Sequence, residues 1–457
     1  MHQGSLRQYY LACEAGRDPY LRRARDAANL TIPYLVPPDS NNASTQYTTP
    51  YQGVGARGVN NLSSKLLLAL LPPNSPFFRL IIDKFEYEKE SGGQADEELK
   101  TELEKALGEV ERAVQSEVET SAVRVGVFEA LKQLIVAGNV LLYVPDKGGL
   151  RIFHLDRYVC KRDPMGNVQS ILVKESIDPD VLPTNVKAEL EAAGNPLTDH
   201  ISINSQQDKT VDVYTAVYRD GKQWVVRQEV GDINITAAQG TYALDRNPRI
   251  PLRYTRIESE NYGRGFIEEY MGDLQSLEYL TQAIVEGSAA AAKVLFLVNP
   301  NGTTRPRILA NSSNGAIVQG NAQDVTVLQM EKFADFRVVQ ETIEAIKERL
   351  GFAFLMNTSI QRQGERVTAE EIRFMAQELE DVLGGVYSIL SQEFQLPLVN
   401  RLMDRMEKAG RLPKLPKKII KTTIVTGLEA LGRGHDLNKL DSFIAGASQL
   451  LGPELMT

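Results

Sequence analysis

The sequence lacks the features that mark secreted, membrane or metal-binding proteins. Its 457 residues contain only two cysteines, Cys13 and Cys160, which are too few and too far apart for a disulfide framework or a cysteine metal cluster. No apolar run approaches the ~18 residues that a membrane-spanning helix needs, and the first residues show no charged-then-apolar leader. These absences predict synthesis in the cytoplasm and no membrane association.

Residue patterns for catalysis are also missing. None of the four histidines has a partner at metal-ligand spacing, and the phosphate-binding pattern G-x-x-x-x-G-K-[ST] does not occur. Paired carboxylates such as Glu268-Glu269 fall on predicted amphipathic helices, where they usually mark a solvated face. We therefore expect a protein without enzymatic activity, cofactor or metal.

One glycine-rich segment, Gly53–Gly58, matches the dinucleotide-binding pattern G-x-G-x-x-G. It follows a proline-rich stretch rather than a predicted strand, and no acidic residue lies ~20 positions further on, where that fold places one. We interpret the glycines as the start of a closely packed helix. A nucleotide-binding enzyme that uses this segment is the alternative function.

The net charge is −8, from 59 acidic and 51 basic residues. A protein that binds DNA tightly and without sequence preference would be basic. The average surface of this chain should instead repel nucleic acid and anionic lipid.

The first 265 residues predict helices and an antiparallel sheet. Turn signals at Asp163–Asn167 and Arg219–Lys222 separate segments of alternating polarity, the second of them joining 211–218 to 223–227 in a hairpin. The other elements expected are helices at 5–30, at 54–71 and twice within 96–138, and strands at Phe77–Asp83 and Asn139–Val144. The expected fold class is α+β and predominantly helical.

The next part of the chain predicts two helices that flank a mixed segment. Residues 266–293 and 335–356 each carry apolar side chains at helical spacing, for example Ile343, Ile346 and Leu350. The intervening residues 294–334 have strand signals at Val294–Val298, Gly315–Val318 and Val325–Leu328.

A polar, glycine-broken loop follows at 357–366, and Thr368–Glu371 then has the pattern of a capping box that begins another helix. This helical run is expected to bend at Gly384-Gly385 and at Pro397. If many copies formed a ring in which these helices stand side by side around a central hole, the loops would converge on that hole.

Charged residues on the second helix form a stripe, Glu341, Glu344 and Glu348. On a single helix such a stripe is usually an ordinary solvated face. Repeated around a ring, it would form a negative wall along which DNA slides with little adhesion. The few cations meeting phosphates would then be Arg362 and Arg366 in the loop, with Lys332 and Arg337 near the start of the helix. A solvated loop is the alternative.

Six segments resemble the portal, or head-to-tail connector, proteins of short-tailed bacteriophages of the T7 type. They occur in order along almost the whole chain, at 39–45, 54–65, 128–143, 262–270, 361–373 and 383–393.

The resemblance implies a portal-type fold that assembles as a ring. Its parts would be a wing at 1–265, stem helices at 266–293 and 335–356, a small α/β clip at 294–334, a tunnel loop at 357–366, a long bent helix of the wing at 367–435, and the start of a helical crown at 436–457. Family members have a longer crown.

The resemblance further implies a twelve-subunit ring at one capsid vertex, through which double-stranded DNA is packaged and later ejected. Its partners would be the terminase large subunit, the tail adaptor, the major capsid and scaffolding proteins, and internal core proteins. The tunnel-loop residues expected to contact DNA are Arg362, Gln363, Gly364, Glu365 and Arg366, and those expected at the partner interface of the clip are Arg305 and Arg307. A viral ring or scaffold component without DNA passage is a further alternative.

Overall fold

The computed structural model describes most of the chain as a mixture of helices and antiparallel sheets. The residues described are 4–38, 41–42, 44–73, 76–90, 97–192, 202–203, 209–291, 295–328, 333–356, 385–413, 415 and 419–425.

The helices are, in chain order, α1 (Leu6–Asn29), α2 (Val54–Leu70), α3 (Lys84–Glu90), α4 (Glu97–Thr120), α5 (Val123–Ala137), α6 (Thr184–Ala192), α7 (Phe266–Glu269), α8 (Met271–Ala291), α9 (Pro306–Ala310), α10 (Phe333–Ala353) and α11 (Leu396–Lys408). The long helices near 5–30, 54–71, 96–138 and 335–356 agree with those expected from the sequence, whereas the short helices α3, α6 and α9 were not predicted. Residues 385–390 are also helical, and a π-helical turn at Ser391–Gln395 joins them to α11. Among the residues described, every helix is too short or too polar to cross a bilayer.

Within the described part of the chain, four antiparallel sheets accompany these helices. The strands are β1 (Phe78–Ile82), β2 (Asn139–Tyr143), β3 (Arg151–Phe153), β4 (Tyr158–Arg162), β5 (Val168–Ile177), β6 (Ser202–Ile203), β7 (Lys209–Asp220), β8 (Gln223–Val230), β9 (Ile233–Ala243), β10 (Arg249–Arg253), β11 (Leu295–Val298), β12 (Val325–Leu328) and β13 (Ile420–Ile424). The largest sheet has the order β4-β5-β7-β8-β9, with β6 beside β7, and a second has the order β10-β2-β3. The expected α+β class is confirmed.

The two predicted turns lie in this largest sheet. Asp220 pairs with Gln223 across the tight turn between β7 and β8. In the turn between β4 and β5, the Asp163 carboxylate accepts a hydrogen bond of 2.8 Å from the Asn167 backbone N–H. Both turns therefore follow from local sequence chemistry.

The main core is built around α5, whose residues Leu134, Ile135 and Val136 are fully buried. This helix packs against α1 and α2 and leads directly into the buried strand β2. Gly138 ends α5 with a left-handed backbone (φ +70°), and a Cβ there would lie 2.4 Å from the Arg264 carbonyl carbon. Only glycine fits this junction.

Helix α11 is attached to the earlier part of the chain by ion pairs of its buried arginines. Arg401 Nη2 lies 2.7 Å from Asp146 Oδ1, and Arg405 of the same helix pairs with Glu117 of α4. We refer to the described residues of 4–265 and 385–425 as the α+β body, because these contacts join them into one core.

Strand β13 is not foreseen by the sequence. It pairs antiparallel with β1 in a two-stranded sheet, with Phe78 opposite Ile424. The pairing joins the two parts of the α+β body, residues 4–265 and 385–425.

Two segments differ from the sequence-based expectation. The helix predicted at 266–293 is divided at Tyr270, whose backbone is not helical. The Tyr270 ring packs on Phe266 and Phe354. The strand expected at Gly315–Val318 does not form, because Gly315 has a left-handed backbone and Ile317 is fully exposed without a partner strand.

Candidate nucleic-acid interface

Helices α8 and α10 form an antiparallel pair that extends from the α+β body. Asp273 of α8 and Arg349 of α10 form an ion pair of 2.7 Å near one end of the pair. Towards the other end, Gly287 lies so close to Phe336 that an added Cβ would be 2.8 Å from the ring. With 21 residues each, the two helices are about 32 Å long.

The face of α10 that packs against α8 and the body is the apolar one predicted from the sequence. Ile343, Ile346, Leu350 and Phe354 are all buried. The predicted acidic stripe, Glu341, Glu344 and Glu348, lies on the opposite side of the helix and is exposed. The structure thus brings the three glutamates together on the outward face of the pair.

This acidic stripe is partly neutralised by cations on the same helix. Arg337 Nε lies 3.3 Å from Glu341 Oε1, and Lys347 Nζ lies 3.1 Å from Glu344 Oε1. The side chains of Glu341 and Glu344 are 68% and 60% exposed, so each pair is weak and screened by salt. Sequence reasoning included Arg337 but missed Lys347, although its spacing of three residues from Glu344 was a readable signal.

The inner end of the helix pair is held by an aromatic cluster. The Phe354 ring packs edge-on against Phe266, with centroids 5.6 Å apart, and also contacts Tyr270. Gly58 of α2 lies against the same ring, and a Cβ at that glycine would be 2.4 Å from Phe354 Cγ. This glycine therefore serves close packing at the helix start, as interpreted from the sequence.

The rest of the Gly53–Gly58 segment also shows helix packing rather than a phosphate site. Residues 44–53 contain no strand, and α2 begins at Val54 directly after this irregular stretch. Gly55 lies against the Leu30 carbonyl oxygen, which an added Cβ would approach to 2.5 Å. A strand before the glycines, which a dinucleotide-binding fold requires, is absent from this described stretch.

A small unit formed by residues 295–328 lies between α8 and α10 in the chain. Its two strands, β11 and β12, pair only with each other within the residues described. The Asp324 carboxylate organises the loop after β11, because its Oδ2 accepts hydrogen bonds from the backbone N–H groups of Thr303 (2.8 Å) and Thr304 (3.1 Å). Desolvation raises the pKa of Asp324, but the hydrogen bonds from Thr304 and Thr303 outweigh it, so the pKa lies below its ordinary value.

This 295–328 unit exposes both apolar and basic side chains. Phe296, Leu297 and Ile317 are exposed. Arg305, the N-cap of α9, and Arg307, the second residue of that helix, were predicted at a partner interface, and both are exposed.

Several predicted positions fall outside the residues described. These are Lys332, the whole loop 357–366 with Arg362, Gln363, Gly364, Glu365 and Arg366, the helical part at 367–384, and the crown start at 436–457. Within the described residues, no three His, Cys, Asp or Glu side chains are grouped closely enough to hold a metal ion.

Comparison with known proteins places the chain in a family. The family model described as "Bacteriophage head to tail connecting protein" matches residues 3–457. The chain is 44% identical over 455 residues to the portal protein of Escherichia phage T7, covering 98% of this chain and 83% of that protein. It is 46% identical over 440 residues to the portal protein of Enterobacteria phage T3, covering 95% and 80%. A solved chain from the virion of a gene transfer agent is more distant, with a TM-score of 0.40 and 12% identity over 86% of each chain.

These matches confirm the resemblance carried by the six sequence segments. Proteins of this family are structural and not enzymes, which removes the nucleotide-binding enzyme as an alternative. The chain belongs to the family of bacteriophage head-to-tail connecting proteins, the portal proteins of T7-like phages, which are virion components at the head–tail junction.

Proposed function

We propose that the chain assembles into a closed ring of twelve copies whose bore carries double-stranded DNA during packaging and ejection. The observation that carries this proposal is the outward acidic stripe of α10, opposite the face buried against α8. Twelve copies would repeat Glu341, Glu344 and Glu348 around the bore. The phosphates of DNA are repelled by such a wall, so the polyanion passes without strong adhesion.

The pairing of Glu341 with Arg337 and of Glu344 with Lys347 sets the strength of this repulsion. The wall is weakly rather than strongly anionic, because each of these glutamates has a cation within one helical turn. A weak field is compatible with free passage, since strong repulsion would hinder entry of DNA and strong attraction would hold it. Cations that contact phosphates in the bore are proposed to be Lys332 and Arg337.

The loop at 357–366 follows α10 after the three turn residues 354–356 and carries Arg362 and Arg366. We assign it the DNA contacts that narrow the bore, with Gln363, Gly364 and Glu365 between the two arginines. Arginine binds phosphate through several N–H donors, so two arginines per subunit can grip DNA even in a ring of net negative charge.

The 295–328 unit is proposed to be the clip that meets the terminase large subunit and the tail adaptor. A two-stranded sheet with little buried surface is marginally stable alone, which favours completion by neighbouring copies and by partners. Its exposed Arg305 and Arg307 are the proposed contacts, together with the exposed Phe296 and Ile317. The outer α+β body would meet the capsid, scaffolding and internal core proteins.

The experiment that tests this function combines imaging with a charge deletion. Electron micrographs of purified protein should show rings of twelve with a central hole. Arg362→Ala with Arg366→Ala should leave these rings intact but lower the yield of DNA-filled heads. The matched control, Thr358→Ala with Gln361→Ala, changes uncharged residues of the same loop that are not among the proposed DNA contacts, and it should leave the yield unaffected. Rings with normal DNA filling in the arginine variant would instead favour a ring component without this DNA contact.

A further inference from the structure

The C-terminal end of α10 has an unusual backbone that the rest of the chain must hold in place. Leu355 is buried and adopts a left-handed conformation (φ +54°), which residues other than glycine rarely take. The backbone N–H of Met356 donates to the Gly351 carbonyl oxygen at 2.8 Å, so the helix closes with a wide final turn. Carbonyl groups at this end have no partner within the helix and need donors from elsewhere.

Two side chains of α2 supply these donors. Asn61 Nδ2 donates to the carbonyl oxygens of Phe354 (2.9 Å) and Leu355 (3.0 Å). Lys65 Nζ donates to the Leu355 carbonyl oxygen at 2.9 Å, and the lysine is only 8% exposed. A buried ammonium at a helix C-terminus is also favoured by the helix dipole. Asn61 and Lys65 therefore fix the backbone just before residue 357.

Helix α2 also contacts the residues that follow 384, where the described part of the chain resumes. Tyr387 donates through its hydroxyl to the Ala69 carbonyl oxygen at 3.4 Å. Gln395, in the π-helical turn, donates to the Leu70 carbonyl oxygen at 2.6 Å and is fully buried. Both flanks of residues 357–384 are thus attached to α2, at positions that lie about 6–14 Å apart along its axis.

We propose that α2 is the positioning element for the segment that carries Arg362 and Arg366. Asn61 and Lys65 set the position and direction in which the chain leaves α10, and Tyr387 and Gln395 set the point of its return. The four side chains are positioning residues, because they act on the segment through its flanks. The proposal rests on the proposed function in one respect, that the segment beginning at 357 contacts DNA.

The test uses Lys65→Met, which keeps most of the side-chain volume but removes the ammonium, and Asn61→Ala, which removes the two amide donors. Ser64→Ala on the exposed side of α2 is the matched control. Lys65→Arg restores a cationic donor and should recover the wild-type behaviour. Assembly into rings is checked first, and Asn61→Ala, a change at a half-buried position, serves if Lys65→Met does not assemble.

The first readout is hydrogen exchange of the amides at 354–356, measured on assembled rings by mass spectrometry. Exchange should become at least tenfold faster in Lys65→Met and Asn61→Ala, and remain unchanged in Ser64→Ala. Unchanged exchange in both test variants would overturn the proposal, because the flank would then be held without these donors.

The second readout is the yield of DNA-filled heads, compared with that of the Arg362→Ala and Arg366→Ala variant. A lowered yield in the α2 variants, recovered by Lys65→Arg, supports the positioning role. If the α2 variants show faster exchange but a normal yield, the positioning role is overturned. The proposed function still holds in that case if the yield of the Arg362→Ala and Arg366→Ala variant is lowered. If the arginine variant itself has a normal yield, the proposed DNA contact fails, and the exchange result alone decides whether α2 holds the flank.

Discussion

Arg401 Nη1 lies 2.6 Å from Asp404 Oδ2, and both side chains are only 1% exposed. The same guanidinium donates through Nε to the Val144 carbonyl oxygen at 3.0 Å, beyond the end of β2. Asp404 is also approached by Arg246 and Lys408. This group of charges ties α11, which follows the proposed DNA-contacting segment, to the sheets of the α+β body.

Replacement of Arg401 should weaken this attachment strongly. Arg401→Leu is expected to lower the free energy of unfolding by about 3 kcal/mol, at the lower end for a buried pair because Arg246 and Lys408 still approach Asp404. Lys408→Leu, at a position that is 46% exposed, should cost less than about 1 kcal/mol. Urea unfolding followed by the fluorescence of Trp224, the single tryptophan, measures both. Equal costs would contradict the central role of Arg401.

The two outer glycines of the G-x-G-x-x-G segment should respond differently to alanine. Gly58→Ala places a methyl group against the Phe354 ring and should destabilise the protein by about 1–3 kcal/mol through overpacking. Gly53→Ala meets no atom within 4 Å and should cost less than about 1 kcal/mol, as a modest change at a helix N-cap. Thermal unfolding of the two variants provides the comparison. Similar losses from both would argue against the packing role of Gly58.

The Asp146 carboxyl should contribute to stability in a pH-dependent way. Desolvation raises its pKa, but hydrogen bonds and charges from Arg401 and Lys408 outweigh this and leave the pKa below its ordinary value. A carboxyl with a lowered pKa in the folded state stabilises the protein above its unfolded pKa of about 3.9, and this stabilisation is lost as the pH falls through the folded value.

Asp146→Asn should therefore reduce stability near neutral pH and make the loss of stability below about pH 4 shallower. Urea midpoints recorded from neutral to acid pH test this, with Asp220→Asn in an exposed turn as the control. The interpretation fails if the wild type and Asp146→Asn lose stability in parallel across the acid range.

Neutralising the acidic stripe should increase adhesion of DNA to the ring. The triple change Glu341→Gln, Glu344→Gln and Glu348→Gln leaves Arg337 and Lys347 without their partners, so retention of DNA at low salt should rise by roughly tenfold or more. The difference should shrink as salt screens the charges.

The matched control for the stripe removes the same number of charges from exposed positions of α4, through Glu102→Gln, Glu104→Gln and Glu109→Gln. It should change DNA retention much less, because the stripe is proposed to line the bore. Equal increases from the two triple variants would show that net charge alone controls adhesion.

Sequence patterns predicted the helices and turns that depend on residues close together in the chain. The spacing of Ile343, Ile346 and Leu350 predicted the buried face of α10, and the Arg219–Lys222 turn predicted the β7–β8 hairpin. These elements depend on side chains within a few positions of one another.

The features that were missed depend on partners distant in the chain. Lys65 reaches the carbonyl oxygen of Leu355, 290 positions away, and nothing next to either residue indicates the contact. Strand β13 is flanked by Ile419 and Val425, so its β-branched residues were a local signal, but its partner β1 lies more than 300 positions earlier in the chain. The break at Tyr270 coincides with packing of its ring against Phe354, a residue more than 80 positions away in the chain.

The pairing of β1 with β13 also has a consequence for biosynthesis. A ribosome that has completed Ile82 must add the chain as far as Ile420–Ile424 before the first strand meets its partner, which takes roughly 20–70 seconds at ordinary translation rates. During that interval the edge of β1 is open to pairing with other nascent chains. Premature termination before residue 420 should therefore yield aggregating fragments instead of a shortened but soluble product.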